Sequence, residues 1–295
     1  MTETKRTNRF ALLFFLYFMG SSVAVAMLPF VRKMSDSGYM LLAQLISFLP
    51  PIAAYFYFTK KDVRKTLRLN PLGWKNALII FSFGVSIQPL ISLLSYLMSL
   101  FFPNPVEQSI AGIQQSGLII SMLSVAILPA ILEEVFSRGI LLSGYHFLGK
   151  WKAAFVSALL FGLLHMNPQQ FLYAFVVGFI FCFLVERTDS LYASILPHMV
   201  INGTTIVSIF TEGAGTGPVE MEQSVILVTL LLMAILSIPW LAVLLYIFLK
   251  LNPPRAELEL TDENGQVYTE RFLTPAMLCI FAVYIVCGII PYLKS

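Results

Sequence analysis

The sequence is dominated by nine runs of apolar residues, and most of them are long enough to cross a lipid bilayer as helices. The runs cover residues 10–31, 39–58, 76–102, 118–148, 152–167, 170–185, 191–210, 223–249 and 275–293. The fifth and sixth are the shortest and share a tight turn, so they need not each cross fully. Only 12% of the residues are charged, against about 25% in soluble domains. The sequence therefore predicts an all-α, multi-pass membrane protein of about eight or nine transmembrane helices.

The basic residues predict an orientation, because cytoplasmic loops carry an excess of lysine and arginine. With a cytoplasmic N-terminus and alternating runs, all but four of the 19 basic residues fall on the cytoplasmic side. The four exceptions are Arg32, Lys33 and Lys294, which fall outside, and Arg138, which lies within a span. The basic N-terminus also resembles a cleavable signal peptide, but the first run continues to Val31 and is long enough to remain as a helix. We expect an integral membrane protein, in the plasma membrane if the source is prokaryotic, with its N-terminus in the cytoplasm.

Three parts of the chain follow from this pattern. They are residues 1–117, with the first helices and a basic cytoplasmic linker at 59–75; residues 118–210, a four-helix core; and residues 211–295, with the last helices and a short cytoplasmic loop at 250–274. The linker is expected to lie on anionic lipid, and a substrate-docking patch is the alternative. In the last loop, the alternating pattern around Asn264-Gly265 predicts a small β-hairpin within 252–274.

Three charged residues lie inside the fourth apolar run, in the stretch 127–142. A charge at this depth costs about 2.5–3.5 kcal/mol on insertion scales, so the charges must be neutralised or used. Glu134 and Arg138 have the spacing and order of a favourable ion pair on one helical face. Glu133 is rotated by about 100° from its neighbour, so its carboxylate is predicted to point elsewhere, unpaired.

Two of the three histidines have a partner four residues away, where both side chains share one helical face. His165 follows Phe161, and His198 precedes Asn202. Counted from the turn near Gly149, Glu133 and His165 both lie about 24 Å along their helices, so we expect them to face each other at one level. The third histidine, His146, is expected to play no more than an interfacial role.

These residue types favour hydrolysis by an activated water. A carboxylate beside an imidazole is a general-base arrangement, and a second histidine with an asparagine can donate hydrogen bonds to an oxyanion. No serine or cysteine has a matched base: Ser137 is too near the ion pair, and Cys182, Cys279 and Cys287 are interpreted as small apolar residues. Two alternatives remain, polar contacts that only hold the helices together, and a metal site of two histidines and one carboxylate.

At these residues the sequence resembles the CAAX protease and bacteriocin-processing family, the glutamate-type intramembrane proteases. The motif EExxxR is matched by Glu133 through Arg138, FxxxH by Phe161 through His165, and HxxxN by His198 through Asn202. The three motifs occur in order within residues 118–210. No motif covers the first three helices or the C-terminal part.

The resemblance implies a metal-free peptidase without a cofactor. It implies that Glu133 activates water with the help of His165, that His198 and Asn202 line the oxyanion pocket, and that further residues support the site. These supporting residues would be Glu134, Arg138 and Phe161. The implied partner is a membrane-associated peptide, of the prenylated CAAX type or of a bacteriocin or signal type, or a lipidated protein C-terminus.

The sequence therefore predicts an intramembrane endopeptidase in contact with the bilayer and with no nucleic-acid partner. A membrane immunity or adaptor protein of the same fold, which binds without cleaving, is the alternative. A small-solute transporter is a weaker one, because the sequence has no repeated pair of broken helices.

Overall fold

A computed structural model describes residues 1–212, 222–254 and 270–293, and within these ranges the chain is helical, without strands. The helices are α1 (Glu3–Ala26), α2 (Asp36–Thr59), α3 (Val63–Thr66), α4 (Trp74–Ser99), α5 (Pro105–Ser116), α6 (Leu118–Gly144), α7 (Lys150–Leu164), α8 (Pro168–Thr188), α9 (Tyr192–Glu212), α10 (Gln223–Leu251) and α11 (Pro275–Tyr292). The predicted all-α membrane fold is confirmed. The predicted β-hairpin falls largely on residues 255–269, which lie outside the described residues.

Eight of these helices are long and apolar enough to cross a membrane: α1, α2, α4, α6, α8, α9, α10 and α11. The count, made on the described ranges, agrees with the predicted eight or nine. The exception among the nine apolar runs is the fifth. Its helix α7 has only 15 residues, which is about 22 Å and short of the hydrocarbon thickness of about 30 Å.

Helices α7 and α8 form an antiparallel hairpin whose turn lies at His165 to Asn167. Trp151 near the start of α7 stacks on Phe179 of α8, with ring centroids 6.1 Å apart. Phe155, one turn later, meets Phe175 edge-on at 5.5 Å. The start of α7 and the end of α8 therefore lie at the same end of the bundle, although α7 is too short to span the membrane.

The segments that were predicted to be cytoplasmic gather at this same end. Ser143, at the end of α6, donates a hydrogen bond to the carbonyl of Thr66 at 2.7 Å. Asn70 donates to Asp189 in the α8–α9 turn at 3.0 Å. Arg187 donates to the carbonyl of Asn252 at 3.3 Å. The 59–75 linker is thus held against the bundle by direct protein contacts, and the side of the membrane it faces stays a prediction.

The N-terminal helix is fixed at this end by one asparagine. The Nδ2 of Asn8 donates to the carbonyl of Phe272 at 2.7 Å and to the Thr274 hydroxyl at 2.8 Å. Its Oδ1 accepts a hydrogen bond from the Tyr145 hydroxyl at 2.7 Å. One buried side chain therefore connects α1, the end of α6 and the start of α11.

Helices α6 to α9 make up the interior of the bundle. Helix α6 packs against α2 and α9, α9 packs against α4 and α8, and α7 packs on α8. Helices α1 and α11 pack on each other at one flank, while α10 packs outside α4 and is mostly exposed. The four-helix interior corresponds to the part of the sequence that carries the three motifs.

Candidate active site

A cavity of about 380 Å³ lies between α2, α4, α5, α6, α8 and α9, and the end of α7 closes it. All four residues predicted to be catalytic line it: Glu133, His165, His198 and Asn202. Glu133 and His165, which were expected to face each other at one level, thus both line this cavity. Phe161, one of the predicted supporting residues, lines the cavity as well.

Beside the cavity wall lies a fully buried ion pair. Nη1 of Arg138 donates to Oε1 of Glu134 at 2.9 Å, and neither side chain is exposed. The Arg138 guanidinium lies over the ring of Phe161 at 4.1 Å and near that of Phe181 at 5.4 Å, so aromatic faces replace water around the charge. The predicted pairing of Glu134 with Arg138 is confirmed.

His198 bridges this ion pair to the cavity. Its Nδ1 is 2.9 Å from Oε1 of Glu134, and a carboxylate that pairs with an arginine can only accept, so Nδ1 carries the proton. Its Nε2 is then left on the cavity side, 3.9 Å from Oε2 of Glu133. A carboxylate that fixes one ring nitrogen and leaves the other for a substrate is a known orienting arrangement.

Glu133 is consequently less isolated than the sequence predicted. The expectation was an unpaired carboxylate that faces His165, but the imidazole at ion-pair distance is that of His198. Helical counting gives the height of a residue along its axis but does not fix how the neighbouring helix turns its side chains. The carboxylate of Glu133 stays 19% exposed, in contrast to the closed environment of Glu134.

His165 is held by its own helix. Its Nδ1 is 3.0 Å from the carbonyl of Phe161, and because a carbonyl only accepts, Nδ1 is the protonated nitrogen of the neutral ring. The other nitrogen, Nε2, is then an acceptor. The spacing FxxxH therefore produces a histidine of defined tautomer at the C-terminal end of α7.

Phe161 is the common neighbour of the site. Its ring meets the ring of His165 edge-on at 5.1 Å and that of His198 edge-on at 5.9 Å. The face of the same ring lies under Arg138. This side chain therefore contacts both imidazoles and covers the buried guanidinium.

The helix that carries the two glutamates is irregular around them. It widens into π-helical turns at Met122–Ile127 and again at Val135–Leu141, and such turns frequently occur at functional sites. Between them Pro129 lacks an N–H, so a carbonyl one turn earlier loses its intrahelical donor. The π-helical turns were not predicted from the sequence.

Two side chains from other helices donate to the carbonyls near Pro129. Nδ2 of Asn202 donates to the carbonyl of Val125 at 3.0 Å, and Nε2 of Gln44 donates to that of Ser124 at 2.9 Å. An amide NH₂ group has two protons, so Asn202 keeps one for another acceptor. The arrangement joins α2, α6 and α9 at the level of the cavity.

The motifs did not reveal all residues that line the cavity. Gln44 of α2 and Gln170 and Tyr173 of α8 contribute polar groups. In the part of the chain that the structure describes, Oε1 of Gln44 is buried without a hydrogen-bond partner. An isolated glutamine in the apolar run 39–58 was the available sequence signal, since such residues rarely face lipid.

The remaining candidates lie elsewhere. His146 is exposed, with Nδ1 2.8 Å from the carbonyl of Ser143, and Ser137 is completely buried. The three cysteines are free, with Cys182 buried and Cys279 and Cys287 exposed. Within residues 1–212, 222–254 and 270–293, no three His, Cys, Asp or Glu side chains are arranged to hold one metal ion.

Comparison with known proteins gives one family match. The model of the family described as Type II CAAX prenyl endopeptidase Rce1-like matches residues 115–204, which include every residue of the three motifs. The resemblance found from the motifs is thereby confirmed for this segment. No solved structure matches the chain.

A curated relative from Bacillus subtilis (strain 168) bears the name "Putative membrane peptidase YdiL". It is 29% identical over 83 residues, which are 28% of this chain and 34% of that protein. The chain thus matches about a third of the length of this relative.

Proposed function

We propose that the protein is an intramembrane peptidase that hydrolyses a peptide bond of a membrane-associated substrate, with Glu133 as the base that activates water. One observation carries the proposal: a partly exposed carboxylate, two imidazoles and an amide line one cavity inside a membrane bundle. The family match over residues 115–204 and the name of the curated relative support the same reaction class.

The arrangement suggests the following proton transfers. Glu133 takes a proton from a water molecule as the water oxygen bonds to the carbonyl carbon of the substrate, and Nε2 of His165 accepts a hydrogen bond from that water. When the tetrahedral intermediate collapses, the carbon–nitrogen bond breaks and Glu133 returns the proton to the leaving amine. General acid–base catalysis of this kind contributes about 10²–10⁴-fold to the rate.

The oxyanion of the intermediate has two donors in this proposal. Asn202 offers its second amide proton, since the first is bound to the carbonyl of Val125. In its doubly protonated form, His198 offers Nε2–H while Nδ1–H stays on Glu134. A preorganised donor of this kind is worth about 10²–10³ in kcat, and the buried pair of Glu134 and Arg138 holds His198 in place.

The substrate is proposed to be a membrane-associated peptide or a lipidated protein C-terminus. Because the cavity lies inside a bundle of membrane-spanning helices, we propose that a substrate anchored in the membrane enters it directly from the bilayer. We also propose that the N-terminus, the 59–75 linker and the α7–α8 ends face the cytoplasm, as the basic residues predict.

Cleavage of membrane-anchored peptides by the purified protein in liposomes tests the function. Wild type should cleave at least one peptide of a set with and without a prenyl group, and Glu133→Gln should lower the rate by about 10²-fold or more. His146→Gln, an exposed histidine outside the cavity, is the matched control and should retain activity. A Glu133→Gln protein that cleaves normally would overturn the assignment.

The same purified protein also tests two alternatives, an immunity or adaptor protein that does not cleave and a peptidase that depends on a metal ion. If Glu133→Gln abolishes cleavage but leaves the cellular phenotype intact, the immunity or adaptor function is the physiological one. Activity after chelation, measured together with the metal content of the protein, tests the metal site: full activity without bound metal removes it.

A further inference from the structure

A second and larger cavity lies on the outer surface of the bundle, between α1 and α2. This outer groove has a volume of about 830 Å³, and among the described residues none lines both cavities. Its walls are almost entirely apolar and are formed by Phe10, Leu13, Phe14 and Tyr17 of α1 and by Pro50, Pro51, Ala54, Tyr55 and Phe58 of α2. It therefore has a lining that suits hydrocarbon and is independent of the proposed active site.

The groove is long enough to cross the hydrocarbon of one membrane leaflet. It follows α1 from Glu3 to Tyr17, a distance of about 21 Å at the helical rise, while half of the hydrocarbon layer is about 15 Å thick. Its inner end is closed by Tyr17, whose hydroxyl donates to the carbonyl of Ile46 at 3.1 Å. That carbonyl lacks its intrahelical donor because the residue four positions later is Pro50.

The outer end of the groove, its mouth, carries charged side chains. Lys61 makes an ion pair and a hydrogen bond with Glu3, and Arg6 lies 3.8 Å from the same carboxylate. Two cations thus share one anion, and the Arg6 side chain is 63% exposed. Burial opposes the charge of Lys61, but the hydrogen bond to Glu3 and the nearby Tyr55 raise its pKa overall, so the ammonium stays charged at neutral pH.

Further basic residues lie at the same ends of α1 and α2 but do not line the groove. Lys5 and Arg9 lie on α1, and Lys60 follows the end of α2. A basic cluster at the membrane surface attracts anionic lipid electrostatically. The mouth therefore selects for a negatively charged head group, while the apolar walls select for an acyl chain.

We infer that the groove between α1 and α2 binds an anionic phospholipid, with an acyl chain along the groove and the phosphate at Arg6 and Lys61. A neutral lipid would use the walls but leave the excess positive charge at the mouth without a partner. A peptide would find few polar groups along the walls to satisfy its backbone. The site would let the lipid hold α1 against α2 beside the bundle interior.

Retention of lipid during native mass spectrometry tests this inference. The full-length protein is purified from an equal mixture of phosphatidylglycerol and phosphatidylcholine, two lipids that differ in head-group charge. Wild type should retain phosphatidylglycerol in several-fold excess. Arg6→Gln with Lys61→Gln should reduce that excess to near equality, because the charge at the mouth is lost.

Two further variants distinguish the contribution of the charged mouth to lipid retention from that of the apolar walls. Ala54→Phe keeps every charge but fills the apolar channel, and should lower the retention of both lipids. Lys75→Gln with Lys152→Gln removes two basic residues that do not line the groove, and should behave like wild type. Equal unfolding temperatures in lipid-free detergent would establish that the variants are folded.

Three results would overturn the inference, and the first two are equal retention of the two lipids by wild type and an unchanged preference in the variant of Arg6 and Lys61. Displacement of phosphatidylglycerol by a farnesylated peptide at equal concentration would also overturn it, and would assign the groove to a prenyl chain. Lipid retention requires no hydrolysis, so the result does not depend on the proposed peptidase activity.

Discussion

Helices α6 and α10 are similar in length and both are apolar, yet they occupy opposite environments. Helix α10 has 29 residues, a single charge at Lys250 near its end, and little buried surface. Helix α6 has 27 residues, contains two glutamates and an arginine, and lies in the bundle interior. Length and apolar character alone do not distinguish a lipid-facing helix from one that carries a site, whereas the charges do.

The two helices also differ in the surroundings of their internal prolines. In α6 the carbonyls around Pro129 accept hydrogen bonds from side chains of α2 and α9. In α10 Pro239 lies within an exposed helix, with Ile235, four residues earlier, 59% exposed. The interior helix therefore depends on partners from distant parts of the chain, and changes to those partners should matter more there than in α10.

The largest effect is expected from Arg138→Met, which leaves the Glu134 carboxylate buried without its main counter-charge. Removal of one partner of a buried ion pair costs about 3–5 kcal/mol. Thermal unfolding in detergent should show this loss for the α6 variant. The matched change in α10, Lys250→Met, should stay within about 0.5 kcal/mol of wild type, as exposed substitutions do.

A double variant sharpens this contrast. Glu134→Gln with Arg138→Met removes both charges, so the combined loss should be smaller than the sum of the two single losses. Additive losses would mean that the two side chains do not act as a pair, and that the comparison between α6 and α10 rests on packing alone.

A smaller effect is expected from Asn202→Leu. This change removes the donor to the Val125 carbonyl, and an unsatisfied buried acceptor costs about 1–3 kcal/mol. Pro129→Ala restores an N–H to α6, so the double variant should recover much of the lost stability. The corresponding proline change in α10, Pro239→Ala, should not rescue Asn202→Leu.

The same double variant separates the two proposed roles of Asn202. If the amide also stabilises the oxyanion, Pro129→Ala restores the unfolding temperature but not the rate of peptide cleavage. A variant that recovers both stability and activity would leave Asn202 with a structural role only.

The comparison also indicates how much of the molecule could be predicted from its sequence. The pair of Glu134 and Arg138 followed from helical spacing, because both residues belong to one helix. Helical counting placed Glu133 and His165 at one height, and both line one cavity together with His198 and Asn202. Local geometry and depth were therefore predictable.

What escaped prediction depends on contacts between helices. The approach of His198 to both glutamates is set by the rotation of α9 against α6, which no spacing within one helix reveals. The contribution of Gln44 requires that α2 packs on α6. The π-helical turns follow neither propensity nor hydrophobic period.

The smallest effect on stability is expected from the carboxylate of Glu270, which lies near the surface. Oε2 of Glu270, just before α11, accepts a hydrogen bond from the backbone N–H of Thr4 at 2.8 Å, in the first turn of α1, where such groups lack intrahelical partners. Burial opposes its charge, but hydrogen bonds from Thr4 and its neighbours lower the pKa of Glu270 below the ordinary 4.5 overall.

Because this pKa is lower in the folded than in the unfolded protein, the contact stabilises the fold fully above pH 4.5 and loses its effect as the pH falls through the folded value. The unfolding temperature of wild type should therefore drop between pH 5 and pH 3 by more than that of Glu270→Gln, which has no charge to lose. Glu186→Gln, which removes a carboxylate paired with Arg68 at the same end of the bundle, should retain the contribution of Glu270. Parallel pH curves for wild type and Glu270→Gln would show that a carboxylate at the bundle end contributes nothing measurable, in contrast to the buried Glu134 of α6.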